Sequence, residues 1–270
     1  MSSVCQYMTS AFGRTLWQFA ALFAVPCVLA VALQWVGAKI RRNGVGWLGN
    51  AYWYLVAPGV ACHETGHTAG CLLTGCRIVK FVPFTRSDNK RLGYVLHEKR
   101  AGLWGDIASV IISSGPIWFG CIMIAILACL FGGVAHIARY SECFANDTVP
   151  GIVEYAIGMA SAASGLSVSL VADGTWGWGF AVWLYLVFCI ASEIGLSAVD
   201  LRQMWRGISV SVTALLLLNL IPPAGRCVSA GIFVAMPWLF KCHVLMLSSL
   251  VLNLALLMAM LFARHFWRRV

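Results

Sequence analysis

From Thr15 to Ala38 the chain carries no charged side chain, and this run is long enough to cross a bilayer as a helix. Further runs extend from Asn43 to Cys62 and on into a His-Glu-Thr-Gly-His segment, and over Ile107 to Ala135, Gly174 to Ser192, Gly207 to Gly225 and Cys242 to Ala263. In hydrocarbon the backbone must satisfy its own hydrogen bonds, so such runs fold as helices. Composition agrees: 60% of the 270 residues are hydrophobic, 11% are charged, and mean hydropathy is +0.82. The expectation is an all-α polytopic protein with about six transmembrane helices, integral to a membrane such as the cell membrane. Tyr155 to Ala172 is long enough to span, but its Gly, Ala and Ser content also suits a re-entrant or packed segment. Cys227 to Phe240 is too short to span alone. The first run can also be read as a cleaved signal peptide, with Arg14 ahead of it and Ala30-Val31-Ala32 as the processing site.

The net charge of +9 does not indicate nucleic acid, because most of it lies in short connections, as the positive-inside bias requires. Lys80, Arg86, Lys90, Arg91, Lys99 and Arg100 put one loop in the cytoplasm. Arg202 and Arg206, and Arg264, Arg268 and Arg269, do the same for a second loop and the C-terminus. Residues 141–173 lack Lys and Arg and are expected outside. Lys39, Arg41 and Arg42 conflict with this scheme if both flanking runs span. Six of the eleven cysteines (Cys27, Cys71, Cys121, Cys129, Cys189, Cys242) lie in apolar runs as small hydrophobes. No Cys-x-x-Cys pair marks a zinc ribbon or redox site. Asn146-Asp147-Thr148 is a weak glycosylation sequon.

His63-Glu64-Thr65-Gly66-His67 carries the chemistry. Histidines four residues apart share one helix face and can reach one metal, and the glutamate beside the first can serve a water at that metal. Ionisable groups at membrane depth are costly, so three clustered there point to function. A catalytic zinc takes three protein ligands and leaves a position open. Asp200, at the end of an apolar run, is the favoured third ligand. Glu193 and Cys227 are alternatives, and Glu193 could instead hold a ligand histidine in place. Glu193 and Asp200, seven residues apart, are expected on one helix face. His97 is expected at the surface, with a role near the metal possible; His136, His243 and His265 are expected as interfacial anchors. Between these elements, Arg77 to Val82 and Arg91 to His97 read as strands around a polar turn at Arg86–Lys90, a β-hairpin at the membrane surface. Ser113-Ser114-Gly115-Pro116 then opens a kinked helix, and Leu218 to Pro223 ends another.

These residues, taken in order, resemble the site-2 protease family of intramembrane zinc metalloproteases, especially its compact prokaryotic members. The likeness rests on HETGH in an apolar helix and on a hairpin ending in Gly93-Tyr94-Val95-Leu96-His97-Glu98. It continues through Gly115-Pro116 at a helix start and Ser197-Ala198-Val199-Asp200, and covers roughly residues 50 to 206. It implies zinc at His63, His67 and Asp200, catalysis by Glu64, and a hairpin that pairs with an unwound substrate strand. The implied partners are membrane-protein or transmembrane-peptide substrates and the lipid bilayer. The chain departs from the better-known branch, which has Asn-x-x-Pro followed by Leu-Asp-Gly. Asn219-Leu220-Ile221-Pro222 matches its start, but Cys227 falls at the aspartate's place. Trp118 and Phe119 lie where the family has an asparagine, and no PDZ-like insertion is present.

The expected organisation is an N-terminal helix with its connection over 1–50, a metalloprotease core over 51–206, and C-terminal helices over 207–270. Two rival readings remain: a zinc-binding scaffold without proteolysis, and an ion transporter. A transporter is expected to show paired pseudo-repeats, and a scaffold to lack the glutamate. The sequence has no such repeats and retains Glu64.

Overall fold

The opening apolar run becomes one long rod, because nothing in it stops a helix. In the computed structural model, which describes residues 3–85, 92–130, 152–172 and 178–267, helix Ser3–Phe19 passes through a π-helical turn at Ala20–Ala24 into helix Val25–Leu48. Pro26 sits in the first turn of the second helix and cannot donate to the carbonyl four residues back, so the wider turn falls just before it. Lys39, Arg41 and Arg42 lie inside this rod and not in a connection. Arg41 Nη1 meets both carboxylate oxygens of Glu193, at 2.7 and 3.0 Å.

The run from Asn43 to Cys62 does not form a single helix. The rod ends at Gly49, whose φ of 55° suits a residue without Cβ, and the short helix Ala51–Leu55 leads into Ala57–Thr74, the histidine helix. The expected hairpin follows, with Ile78–Val82 antiparallel to Tyr94–His97 and a register shift between Ile78 and Lys80. Its polar turn lies outside the described residues, as do the sequon and His136. Gly102–Ser113 and Gly115–Leu130 then form two helices in series, broken at Ser114 ahead of Pro116. Ile152–Ala172 is a further helix.

The next pair corrects the sequence reading. Trp178–Glu193 stops at Glu193, and Ala198–Leu220, the aspartate helix, leaves it at a bend of 62°. Glu193 and Asp200 therefore do not share a helix face, and Arg202 and Arg206 belong to a helix, not a loop. Gly195 lies against the backbone of Gln34, where a Cβ would come within 2.6 Å of its nitrogen. After Pro222 a single helix, Pro222–Trp267, joins the two apolar segments that had looked separate. Asn219, fully buried, ties the start of this turn to the first helix by donating to Thr15 Oγ1 (2.9 Å) and Gln18 Oε1 (2.7 Å). His243 is buried against the Tyr155 hydroxyl, 2.5 Å away, and does not anchor an interface.

Among the described residues, three helices are long and apolar enough to cross a membrane: Met8–Leu48, Gly102–Leu127 and Pro222–Phe266. The bent pair makes a fourth if counted as one span. The core that joins them runs through Leu33, Ile194, Leu196, Phe240 and Met246.

Candidate metal centre

The histidine helix runs between three others, Gly102–Ser113, Gly115–Leu130 and Trp178–Glu193, and glycines set how closely it approaches them. A Cβ on Gly59 would stand 2.0 Å from the Cys189 carbonyl oxygen. One on Gly66 would stand 2.7 Å from the Gly115–Pro116 backbone, and one on Gly70 2.7 Å from Ile112 Cα. These approaches deliver two backbone carbonyls to the histidines. His63 Nδ1 donates to the Glu193 carbonyl at 2.6 Å, and His67 Nδ1 donates to the Ile112 carbonyl at 2.8 Å.

That pairing decides the tautomers. A carbonyl oxygen only accepts, so each Nδ1 carries the hydrogen and each neutral ring presents a lone pair at Nε2. The two Nε2 atoms face each other at 3.1 Å, and Asp200 Oδ1 lies 3.5 Å from His67 Nε2. Two lone pairs and a carboxylate this close repel one another unless a positive charge sits among them. Ligands about 2.0–2.1 Å from a tetrahedral zinc stand roughly 3.3 Å apart, which these separations bracket. All three donor atoms fall within 4.8 Å of one another. The residues present therefore fit a divalent cation.

Asp200 is aimed by its own helix start. Ser197 is the N-cap: its backbone N–H (2.9 Å) and hydroxyl (2.6 Å) both donate to Asp200 Oδ2, and its oxygen accepts from the Asp200 N–H. This capping box occupies Oδ2 and leaves Oδ1 toward His67. The Ser-x-x-Asp spacing thus has a local structural cause as well as a chemical use.

The other candidates fall outside the donor set. The Glu193 carboxylate is held by Arg41, and the residue supports His63 through its main chain, where the sequence reading had considered its side chain. Cys227 is exposed and outside the cluster. Glu64 lines a cavity of about 180 Å³ with Arg41, His63, Gly93, Glu193 and Ser197. A Cβ on Gly93 would come 2.7 Å from Glu64 Cγ, so the start of strand Tyr94–His97 is laid against this glutamate. His97 is half-buried on that strand. Partial burial holds its imidazole below the ordinary value, and His67 and Lys99 push in the same direction.

Ile112 and Arg41 were missed by sequence reasoning. Ile112 acts through its carbonyl, which no side-chain pattern announces; Arg41 was visible only as a misplaced charge. Gly59→Val tests this supporting shell. It should push Trp178–Glu193 away and lower metal affinity about 10- to 100-fold, the usual cost of losing a partner that orients a ligand. Competition with a chelator of known affinity measures this, and Gly231→Ala, where a Cβ meets nothing within 4 Å, serves as the neutral control. Compared with protein-family models, curated proteins and solved structures, the chain matches none of them.

Proposed function

We propose that the protein is an intramembrane zinc-dependent endopeptidase, hydrolysing peptide bonds of membrane-spanning substrates. The observation that carries this reading is the facing pair of Nε2 lone pairs, with Asp200 Oδ1 beside them and Glu64 in the adjoining cavity. In this reading the protein is multi-pass. The shorter apolar helices, including Ala57–Thr74 and Trp178–Glu193, add full or partial crossings to the long ones, for about six in all.

His63, His67 and Asp200 would hold the zinc. The chemistry such an ion would supply is acidification of a water to a pKa near 7 and polarisation of the scissile carbonyl. Glu64 accepts the proton from the attacking water at its carboxylate and passes it to the departing amine nitrogen. Arg41 neutralises Glu193, so the second carboxylate at the cavity carries no unpaired charge. The Glu193 and Ile112 carbonyls keep both imidazoles in the metal-binding tautomer. Strand Tyr94–His97, laid against Glu64, offers an edge on which an extended substrate segment can pair beside the reacting groups.

The test is the full chain reconstituted in vesicles with a single-span model substrate. About one zinc per chain is expected, since the cluster offers one three-donor site. Cleavage should stop on treatment with 1,10-phenanthroline and return with added zinc. A chain that retains no metal, or that cleaves in the presence of the chelator, overturns the proposal.

A further inference from the structure

A second cavity, of about 840 Å³, opens beside the metal centre where the N-terminal turns of Gly102–Ser113 and Ala198–Leu220 meet. Its lining is basic: Lys99, Arg100, Arg202 and Arg206 stand against a single carboxylate, Asp106. The carboxylate does not neutralise them. Among the described residues its ion pair is with Arg206, at 3.7 Å and with the arginine side chain 82% exposed, and such surface pairs hold weakly. Arg100 spends one nitrogen on the Gly75 carbonyl, and Lys99 and Arg202 make no ion pair among the described residues.

The position of this cavity identifies its occupant. It lies at the N-terminal end of Gly102–Leu127, one of the helices able to cross a membrane, where the chain changes from charged to apolar. Leu103 and Val199 line it and are exposed, and the exposed Trp104 and Trp205 stand on the same two helices. Tryptophans prefer the headgroup level of a bilayer, and exposed Leu and Val beside them suit acyl chains. Basic pockets between helices at that level bind the phosphate of anionic lipids.

We infer that this cavity is a binding site for the phosphate-bearing headgroup of an anionic phospholipid. Lys99, Arg202 and Arg206 contact the phosphate, and Leu103 and Val199 meet the upper chains. The site adjoins the centre at two points. Arg202 lies on the helix whose first turn presents Asp200, and Arg100 caps the histidine helix at Gly75. An occupied headgroup site therefore ties together the elements that bring the metal ligands into register, and couples the centre to the surrounding lipid. The inference rests on the membrane-embedded reading of the chain and not on proteolysis.

Native mass spectrometry of the detergent-solubilised full chain tests it, with phosphatidylglycerol titrated beside phosphatidylcholine. Wild type should carry at least about fivefold more phosphatidylglycerol, from the charge attraction near anionic surfaces. Lys99→Gln/Arg202→Gln should reduce this to the phosphatidylcholine level while retaining the wild-type helical circular dichroism spectrum and elution volume, which shows that the variant folds. Glycerol 3-phosphate at matched concentration should not displace the lipid. Equal binding of the two lipids overturns the inference, as does undiminished phosphatidylglycerol binding by the variant. Displacement by glycerol 3-phosphate alone overturns the lipid assignment in favour of a soluble phosphate. None of these results depends on whether the chain cleaves a peptide.

Discussion

Asp200→Ala should strip the metal from the purified protein, and Cys227→Ala should not. The Asp200 carboxylate oxygen turned toward His67 lies 3.5 Å from its Nε2, whereas Cys227 is exposed and lies outside the donor cluster of His63, His67 and Asp200. Changes that disturb only the orientation of a ligand cost 10- to 100-fold in affinity, so loss of a ligand itself should exceed about 100-fold. Asp200→Ala also removes half of the capping box with Ser197, a loss worth about 1 kcal/mol. Asp200→Asn separates the two effects, because it keeps an oxygen that can accept from Ser197 but removes the ligand charge. Both variants should lose zinc under dialysis that leaves wild type loaded, as read by elemental analysis. Wild-type zinc content in Asp200→Ala would place the third ligand elsewhere, and loss of metal only in Cys227→Ala would identify the cysteine.

Glu64→Gln should give the opposite phenotype, with zinc retained and turnover lost. Glu64 contributes no atom to the donor cluster, which consists of His63, His67 and Asp200, so the amide should leave metal content unchanged. It cannot take a proton, and positioned general-base catalysis contributes about 10²- to 10⁴-fold. Vesicle-based cleavage of the model substrate at saturating enzyme should fall by that factor, with zinc still near one per chain. Cleavage that continues at the wild-type rate would sink the hydrolase reading. Zinc loss in this variant would instead show that Glu64 is a ligand.

The parts of the site legible in the sequence are those with a local cause. His63, Glu64 and His67 are set by helical spacing alone, and strands Ile78–Val82 and Tyr94–His97 by their strand-like runs of β-branched and aromatic residues around a polar turn. Helix ends were harder to read, because apolar residues suit a spanning helix, a broken one or a buried one equally. Glu193 and Asp200 show the difficulty. Their spacing fits one helix face, yet Gly195 packs on the Gln34 backbone and turns the chain by 62° between them. The 46-residue helix Pro222–Trp267 shows the reverse, since it runs on without a break through Pro237 and joins the apolar runs Cys227 to Phe240 and Cys242 to Ala263.

What the residue order determines by itself is the solvent and the chemistry available. Long uncharged runs require helices in an apolar medium, and HETGH puts two imidazoles and a carboxylate within one helical turn and a half. Only the tertiary structure decided which lone pairs face each other. The tautomers and the make-up of the candidate donor cluster depend on the Glu193 and Ile112 carbonyls and on Asp200, groups distant in sequence that meet because Gly59, Gly66 and Gly70 let helix backbones touch. Backbone groups look alike in every residue, so no sequence pattern marks the two that orient these rings.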